Sequence, residues 1–245
     1  MSISAQEFSG KELNIRIKAA GDYVYVDDCF GQRFIGCGLK SKKVEINGTP
    51  GNALGAYLDG ATIEVKGNAQ DATGDTMNDG KIIIHGNAGD ALGYSMRGGK
   101  IFVRGNAGYR VGIHMKEYKD KIPKIVIGGH AGSFLGEYLA GGLIVVLGIG
   151  AWNAPRGAEN APVGNFTGTG MHGGKIYIRT DKDLVALPAQ VTVEIAGKDE
   201  LCEIEQEVRE FANYFGIDAQ SLLKDQFYVL RPNAKNPYKQ HYTAY

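Results

Sequence analysis

The segment Gly168-Thr169-Gly170-Met171-His172-Gly173 spells Gly-x-Gly-x-x-Gly, a spacing whose backbone amides can cradle a dinucleotide pyrophosphate. In that role the motif follows a strand, opens a helix and is trailed by an acidic residue about 20 positions on. Here it precedes an apolar run, Lys175–Ile178, and Gly168 and Met171 fall in register with a longer repeat, so a structural turn is the better reading. The histidines His85, His114, His130, His172 and His241 have no Ser, Cys or paired carboxylate that spacing would bring to them, so no acid–base set is expected. Cys29, Cys37 and Cys202 are an odd number at no metal-ligand spacing, which reads as reduced thiols rather than a zinc site. Lys43, Lys81, Lys100, Lys124 and Lys175 share one column of the repeat. That column would greet an anionic partner, but solvated residues that keep strand edges from aggregating are the favoured reading.

The repeat itself organises these residues. Gly48, Gly67, Gly86 and Gly105 are each 19 residues apart, and Gly36, Gly55, Gly74, Gly93 and Gly112 form a second series at the same interval. A fixed period of this length signals stacked rungs. The rungs begin at Lys43, Thr62, Lys81, Lys100, Lys124 and Leu143, and the last resumes at Gly168. Two β-branched columns run through them, one from Val44 to Ile176 and one from Ile46 to Ile178, which suits a pleated surface with one buried face. A third column, Leu58, Met77, Met96, Met115, Leu139 and Met171, supplies pliable filler from another wall. About 19 residues cannot hold a crossover helix between parallel strands, so the expected object is a parallel β-helix of about seven rungs, on the order of 30 Å long. Turns are expected at Gly48, Gly55, Gly67, Gly74, Gly86, Gly93, Gly105, Gly112, Gly129, Gly136, Gly168, Gly170 and Gly173, because glycine takes positive φ without penalty. Asn68, Asn87 and Asn106 stack in one column and should hydrogen-bond along the axis.

With 27 basic and 27 acidic residues the chain is formally neutral, which gives nucleic acid or an anionic membrane no electrostatic purchase. No apolar run approaches a membrane span and the N-terminus lacks signal-peptide features, so a cytoplasmic location is the expectation. After the coil, Leu184–Leu187 and Val191–Ile195 read as a final strand pair. Leu201, Ile204, Val208, Phe211 and Phe215 then recur as one face of an amphipathic helix, with Glu203, Glu205, Glu207 and Glu210 on the wet side. The expected division is residues 1–197 for the coil and 198–245 for the helix and an extended tail.

Two features point to contacts. The outward strand column starts as Glu45 and Glu64 and becomes Ile83, Phe102, Val126, Val145 and Tyr177, an apolar stripe that must be covered by the chain's own helix or by a partner. The period also breaks twice. Gly105 to Gly129 is 24 residues instead of 19, and the loop Ile149–Thr167 interrupts a rung with Trp152, Asn153, Arg156 and Asn165. Insertions in stacked folds commonly serve binding, so these four residues, with Phe102, Val126 and Tyr177, are the candidate partner contacts.

The Gly-x-x-Gly-x-x-x-Gly segments at Gly48–Gly55, Gly86–Gly93, Gly105–Gly112 and Gly129–Gly136, together with Gly168–Gly174, resemble the GXGXG domain. That domain forms the C-terminal region of the large subunit of glutamate synthase, and a related form occurs as one of the subunits of formylmethanofuran dehydrogenase. The resemblance spans roughly residues 10 to 195. It implies an all-β, right-handed, single-stranded parallel β-helix with a C-terminal helix, and no catalytic, cofactor or metal residue on this chain. It further implies a scaffold subunit of a split glutamate synthase, with a glutamine amidotransferase partner and an FMN-dependent synthase partner that carries the FMN and iron–sulfur clusters. The alternatives are a formylmethanofuran dehydrogenase-type subunit beside pterin and iron–sulfur chains, a free-standing hydrolase, and a structural homo-oligomer.

Overall fold

Short β-branched runs separated by glycine-rich turns can bury only one face each, and stacking is what completes their core. The computed structural model describes residues 1–150, 161–182, 184 and 187–233. Its strands are β1 (Ser2–Ser4), β2 (Tyr23–Phe30), β3 (Lys43–Thr49), β4 (Asp59–Val65), β5 (Asp79–Ile84), β6 (Lys100–Val103), β7 (Lys124–Ile127), β8 (Ala140–Val146), β9 (Gly173–Arg179), β10 (Val191–Ile195) and β11 (Phe227–Pro232). The helices are α1 (Gly10–Ala19), α2 (Lys198–Phe215) and α3 (Ala219–Leu223). One 11-stranded sheet runs β1 to β9 in sequence order and then β11 and β10. Pairings are parallel from β1 to β9, one strand per rung, and antiparallel from β9 through β11 to β10. This is a parallel β-helix.

The expected columns are the observed register. Val44 pairs with Ile63, Ile82, Ile101, Ile125, Ile144 and Ile176 in turn, and the Ile46 column follows two residues later. Both columns are buried, as is the filler column from Leu58 to Met171. A second wall is stitched by single bridges through Ala69, Ala88, Ala107, Ala131 and Val163. The asparagine column works differently from an amide stack. Asn68 Oδ1 accepts from the backbone N–H of Asn87 at 2.8 Å, Asn87 from Asn106 at 2.8 Å, and Asn106 from His130 at 2.9 Å.

The glycines divide into two kinds. Gly55, Gly74, Gly93, Gly112, Gly136, Gly168 and Gly170 have φ between 63° and 77°, the left-handed turn expected, and Gly48 lies at 111°. Gly67, Gly86, Gly105, Gly129 and Gly173 are not among the positive-φ residues. They are glycine because the neighbouring rung passes too close: a Cβ on Gly105 would stand 2.3 Å from Asn87 Oδ1.

Two further differences concern the ends. A rung precedes Lys43, since β2 aligns Val24 with Val44 and Val26 with Ile46. Cys29 stands where the later rungs have glycine, opposite Gly48, and this hides the period there. Burial raises the Cys29 thiol pKa to about 11, so it behaves as a small core residue. Helix α1 closes this end of the coil with Leu13 and Ile17 buried, started by a reciprocal capping box between Ser9 and Glu12. At the other end, Val191–Ile195 pairs with β11, a strand that lies beyond α2 in the chain. Of its expected partner Leu184–Leu187, the two middle residues fall outside the described residues.

Candidate functional site

The outward face of the sheet is divided between a covered half and an open half. Helix α2 lies across β5 to β9 with Ile204, Val208 and Phe211 buried against Ile83, Phe102, Val126, Val145 and Tyr177. Phe102, Val126 and Tyr177, expected among the candidate partner contacts, are thus covered by the chain's own helix. Each large apolar side chain buried here is worth roughly 2 kcal/mol, enough to hold the helix down.

Four lysines of the column meet glutamates of the helix, while Lys43 stays exposed beyond it, and of the four helix glutamates Glu207 is buried and Glu210 half-buried. Lys175 Nζ meets Glu203 at 2.5 Å, Lys124 meets Glu207 at 2.6 Å, Lys100 meets Glu210 at 2.7 Å and Glu207 at 3.4 Å, and Lys81 meets Glu210 at 2.5 Å. One helical turn advances about 5.4 Å and one rung about 4.8 Å, so glutamates on one helix edge fall beside successive lysines. Glu205 instead pairs with Arg209 on the helix itself at 2.7 Å, and its side chain is about as exposed as that of Glu203. Glu207 is buried, with Lys100 and Lys124 on Oε1 and, among the described residues, no hydrogen-bond partner on Oε2. Burial raises the Glu210 carboxyl pKa, but Lys100 and Lys81 outweigh it and the net shift is downward. Glu203 is lowered in the same way by Lys175 and the Tyr177 hydroxyl, which donates to it at 2.7 Å.

Beyond the helix the open half is polar. Glu64 Oε1 accepts from Lys66 at 2.5 Å and lies 3.0 Å from His85 Nε2, and Glu64 Oε2 is 3.4 Å from Lys43. The Tyr23 hydroxyl donates to Glu45 at 2.7 Å. Burial opposes ionisation of Glu64, yet Lys66, His85 and Lys43 hold its pKa at about 2. His85 thus has the carboxylate neighbour that local spacing did not reveal, because the pair joins adjacent rungs. Its ring also meets Phe215 edge-on at 5.2 Å, where α2 ends. The arrangement is a closed charge network that orients an imidazole.

The turn wall carries several exposed aromatic side chains. Two columns hold non-glycine residues at positive φ, Phe34, Ala53, Ala72, Ala91, Arg110, Phe134 and Phe166 in one, and Tyr57, Thr76, Ser95, His114 and Tyr138 in the other. Small residues occupy the middle rungs, while aromatic and cationic ones occupy the later rungs. Phe134 stacks on Phe166 at 5.1 Å, His114 on Tyr138 at 5.1 Å, and the Arg110 guanidinium sits 5.1 Å from the Phe134 ring centre while bonding Glu137 at 3.0 Å. Phe166 remains 52% exposed. Asn165 lies beside this patch, its carbonyl accepting from Phe134 N–H at 2.9 Å. Trp152, Asn153 and Arg156 fall outside the described residues, as does His241.

The Gly168–Gly173 motif is spent on the coil: Gly168 N–H donates to Leu135 O and Met171 N–H to Gly168 O, and strand β9 follows rather than a helix. Among the described residues no helix is long and apolar enough to cross a membrane.

The fold and its surfaces define a parallel β-helix protein with an amphipathic helix clamped along one wall. The chain belongs to the GXGXG family, whose motif model matches residues 11–234. It is 42% identical to an uncharacterised protein of Methanocaldococcus jannaschii over 98% of this chain and 95% of that protein. Its fold is similar to a chain in the crystal structure of the formyltransferase/hydrolase complex FhcABCD of Methylorubrum extorquens in complex with methylofuran. The TM-score is 0.64 at 20% identity, over 84% of this chain and 71% of that one.

Proposed function

We propose that this chain is the non-catalytic β-helix scaffold subunit of a split glutamate synthase. It would hold a glutamine amidotransferase and an FMN-dependent, iron–sulfur-containing synthase together for glutamate formation from glutamine and 2-oxoglutarate. Family membership across residues 11–234 supports the class. A role beside partner chains is supported by the likeness to a chain of a multi-subunit complex.

The observation that carries the scaffold reading is the aromatic patch on the turn wall. Every rung needs left-handed backbone at these two columns, and Ala72, Ala91, Thr76 and Ser95 meet that need. Placing Phe134, Phe166, His114 and Tyr138 there adds nothing the coil requires, whereas exposed aromatics and arginine are the side chains that anchor protein interfaces. Replacing Phe134 and Phe166 together with Ser tests this. The expected result is loss of the amidotransferase or synthase chain from the co-purified complex, and at least a tenfold fall in glutamine-dependent glutamate formation, with the isolated chain's Tm within a few degrees of wild type. An intact complex would remove the patch from the interface, and co-purified pterin-enzyme chains would replace this reading with the formylmethanofuran alternative.

A further inference from the structure

The two ends of the coil are finished differently. At the N-terminal end β1 is only Ser2–Ser4, and α1 covers the core with Leu13 and Ile17 inward and Glu12, Asn14, Arg16 and Lys18 among its polar residues. That is the polar cap a stacked-repeat protein needs to stay apart from its neighbours. At the C-terminal end the outermost strand is β10, and among the described residues nothing pairs with its outer side.

Its inward columns run on past the coil. Ile176 and Ile178 continue to Leu230 and Tyr228 on β11, and then to Val193 and Ile195 on β10. Val193 is 36% exposed and Ile195 63% exposed. Ala196 N–H donates to Phe227 O and Asn233 N–H to Gln190 O, so even-numbered positions of this strand bond inward to β11. By the alternation of an antiparallel ladder, the N–H and C=O groups of Val193 and Ile195 face away from the sheet. The result is an apolar edge with open hydrogen-bonding groups, the form of edge that pairs with another strand.

We propose that β10 is a homodimer interface: a second copy adds its own β10 antiparallel to this edge and joins two coils end to end through one continuous sheet. The edge is self-complementary in this register. Val193 faces Val193 of the second copy, Val191 faces Ile195, and Glu194 faces Thr192 rather than another carboxylate. Glu194 already pairs with Arg231 at 2.8 Å on the opposite face of the sheet, so no uncompensated charge enters the contact. A two-fold axis through Val193 keeps both apolar faces on the same side, where Val193 and Ile195 of each copy cover the other's open end. Such an isologous contact closes on itself and stops at two copies.

Sedimentation equilibrium over micromolar concentrations tests this, with the full chain and with V193K/I195K, both changes being at exposed positions. The wild type is expected at twice the 26.3 kDa chain mass and the variant at the single mass, with unchanged Tm and circular dichroism. Hydrogen exchange of the wild type adds a readout independent of any variant: the Val193 and Ile195 amides should slow at least tenfold as concentration rises through the dimer transition. A monomeric wild type, a variant that remains dimeric, or exchange at these amides that ignores concentration would each overturn the proposal.

Discussion

Gly93 and Gly105 look alike in the repeat but answer to different forces, and substitution separates them. Gly93 sits at φ 68° with the Ile125 side chain 2.5 Å from where a Cβ would lie. Gly93→Val therefore adds left-handed strain to a clash, and a loss of about 3 kcal/mol in urea unfolding is expected. Gly38 is also left-handed, at φ 63°, but opens to solvent; Gly38→Ala should cost only about 1 kcal/mol. For Gly105→Ala the backbone is ordinary, and the expected loss comes from the Asn87 carboxamide at 2.3 Å and the Gly86 carbonyl at 2.9 Å, so Asn87→Ala should mask the part due to the carboxamide in a double-mutant cycle. Additive losses would contradict the close-approach reading. The period alone could locate these glycines but could not say which served a turn and which a contact, because both recur every rung.

At the scale of elements, α2 is held by apolar burial and registered by charge. Exposed ion pairs contribute about 0.2–1 kcal/mol each, less than Phe211 or Phe102 does by burial, so Phe102→Asp should destabilise the fold by several kcal/mol or prevent folding; a wild-type Tm would contradict the covered stripe. Glu207 is the exception among the charges. Removing both Lys100 and Lys124 leaves it buried without a counter-ion, and a loss of about 3–5 kcal/mol is expected, whereas adding Glu207→Gln to that double variant should recover part of it. The carboxyls of Glu203, Glu210 and Glu64 all ionise more readily folded than their ordinary value of 4.5. Their contribution to stability is thus present above pH 4.5 and drains away below it, continuing toward pH 2 for Glu64. Tm should be level from neutral pH down to that point and then fall, and a Tm that rose on acidification would contradict the clasp.

These elements were unequally legible. The amphipathic pattern Leu201 to Phe215 marks the helix, but a helix edge reads as wet unless its partner is known, and Lys81 and Glu210 are 129 residues apart. Helix α1 carried a local signal that could have found it, Ser9-x-x-Glu12 followed by Leu13 and Ile17. The strand β11 that pairs β10 lies beyond the helix, and no local pattern names such a partner.

For the whole molecule, stacking gives rigid walls on which separate surfaces can be assigned: one wall to α2, the later turns to an aromatic patch, the last edge to a second copy. The repeat made the coil visible from Lys43 onward, one rung short of its start. The patch was not visible, because the same columns hold alanine, threonine and serine in the middle rungs and the exposure of its side chains depends on how the turns fold. The most direct test of the scaffold role is to isolate this chain at native abundance from its source cells and identify the proteins that accompany it by mass spectrometry. The expected companions are a glutamine amidotransferase chain and an FMN-containing synthase chain. Recovery with pterin-enzyme chains, or as this chain and no other, would contradict the account.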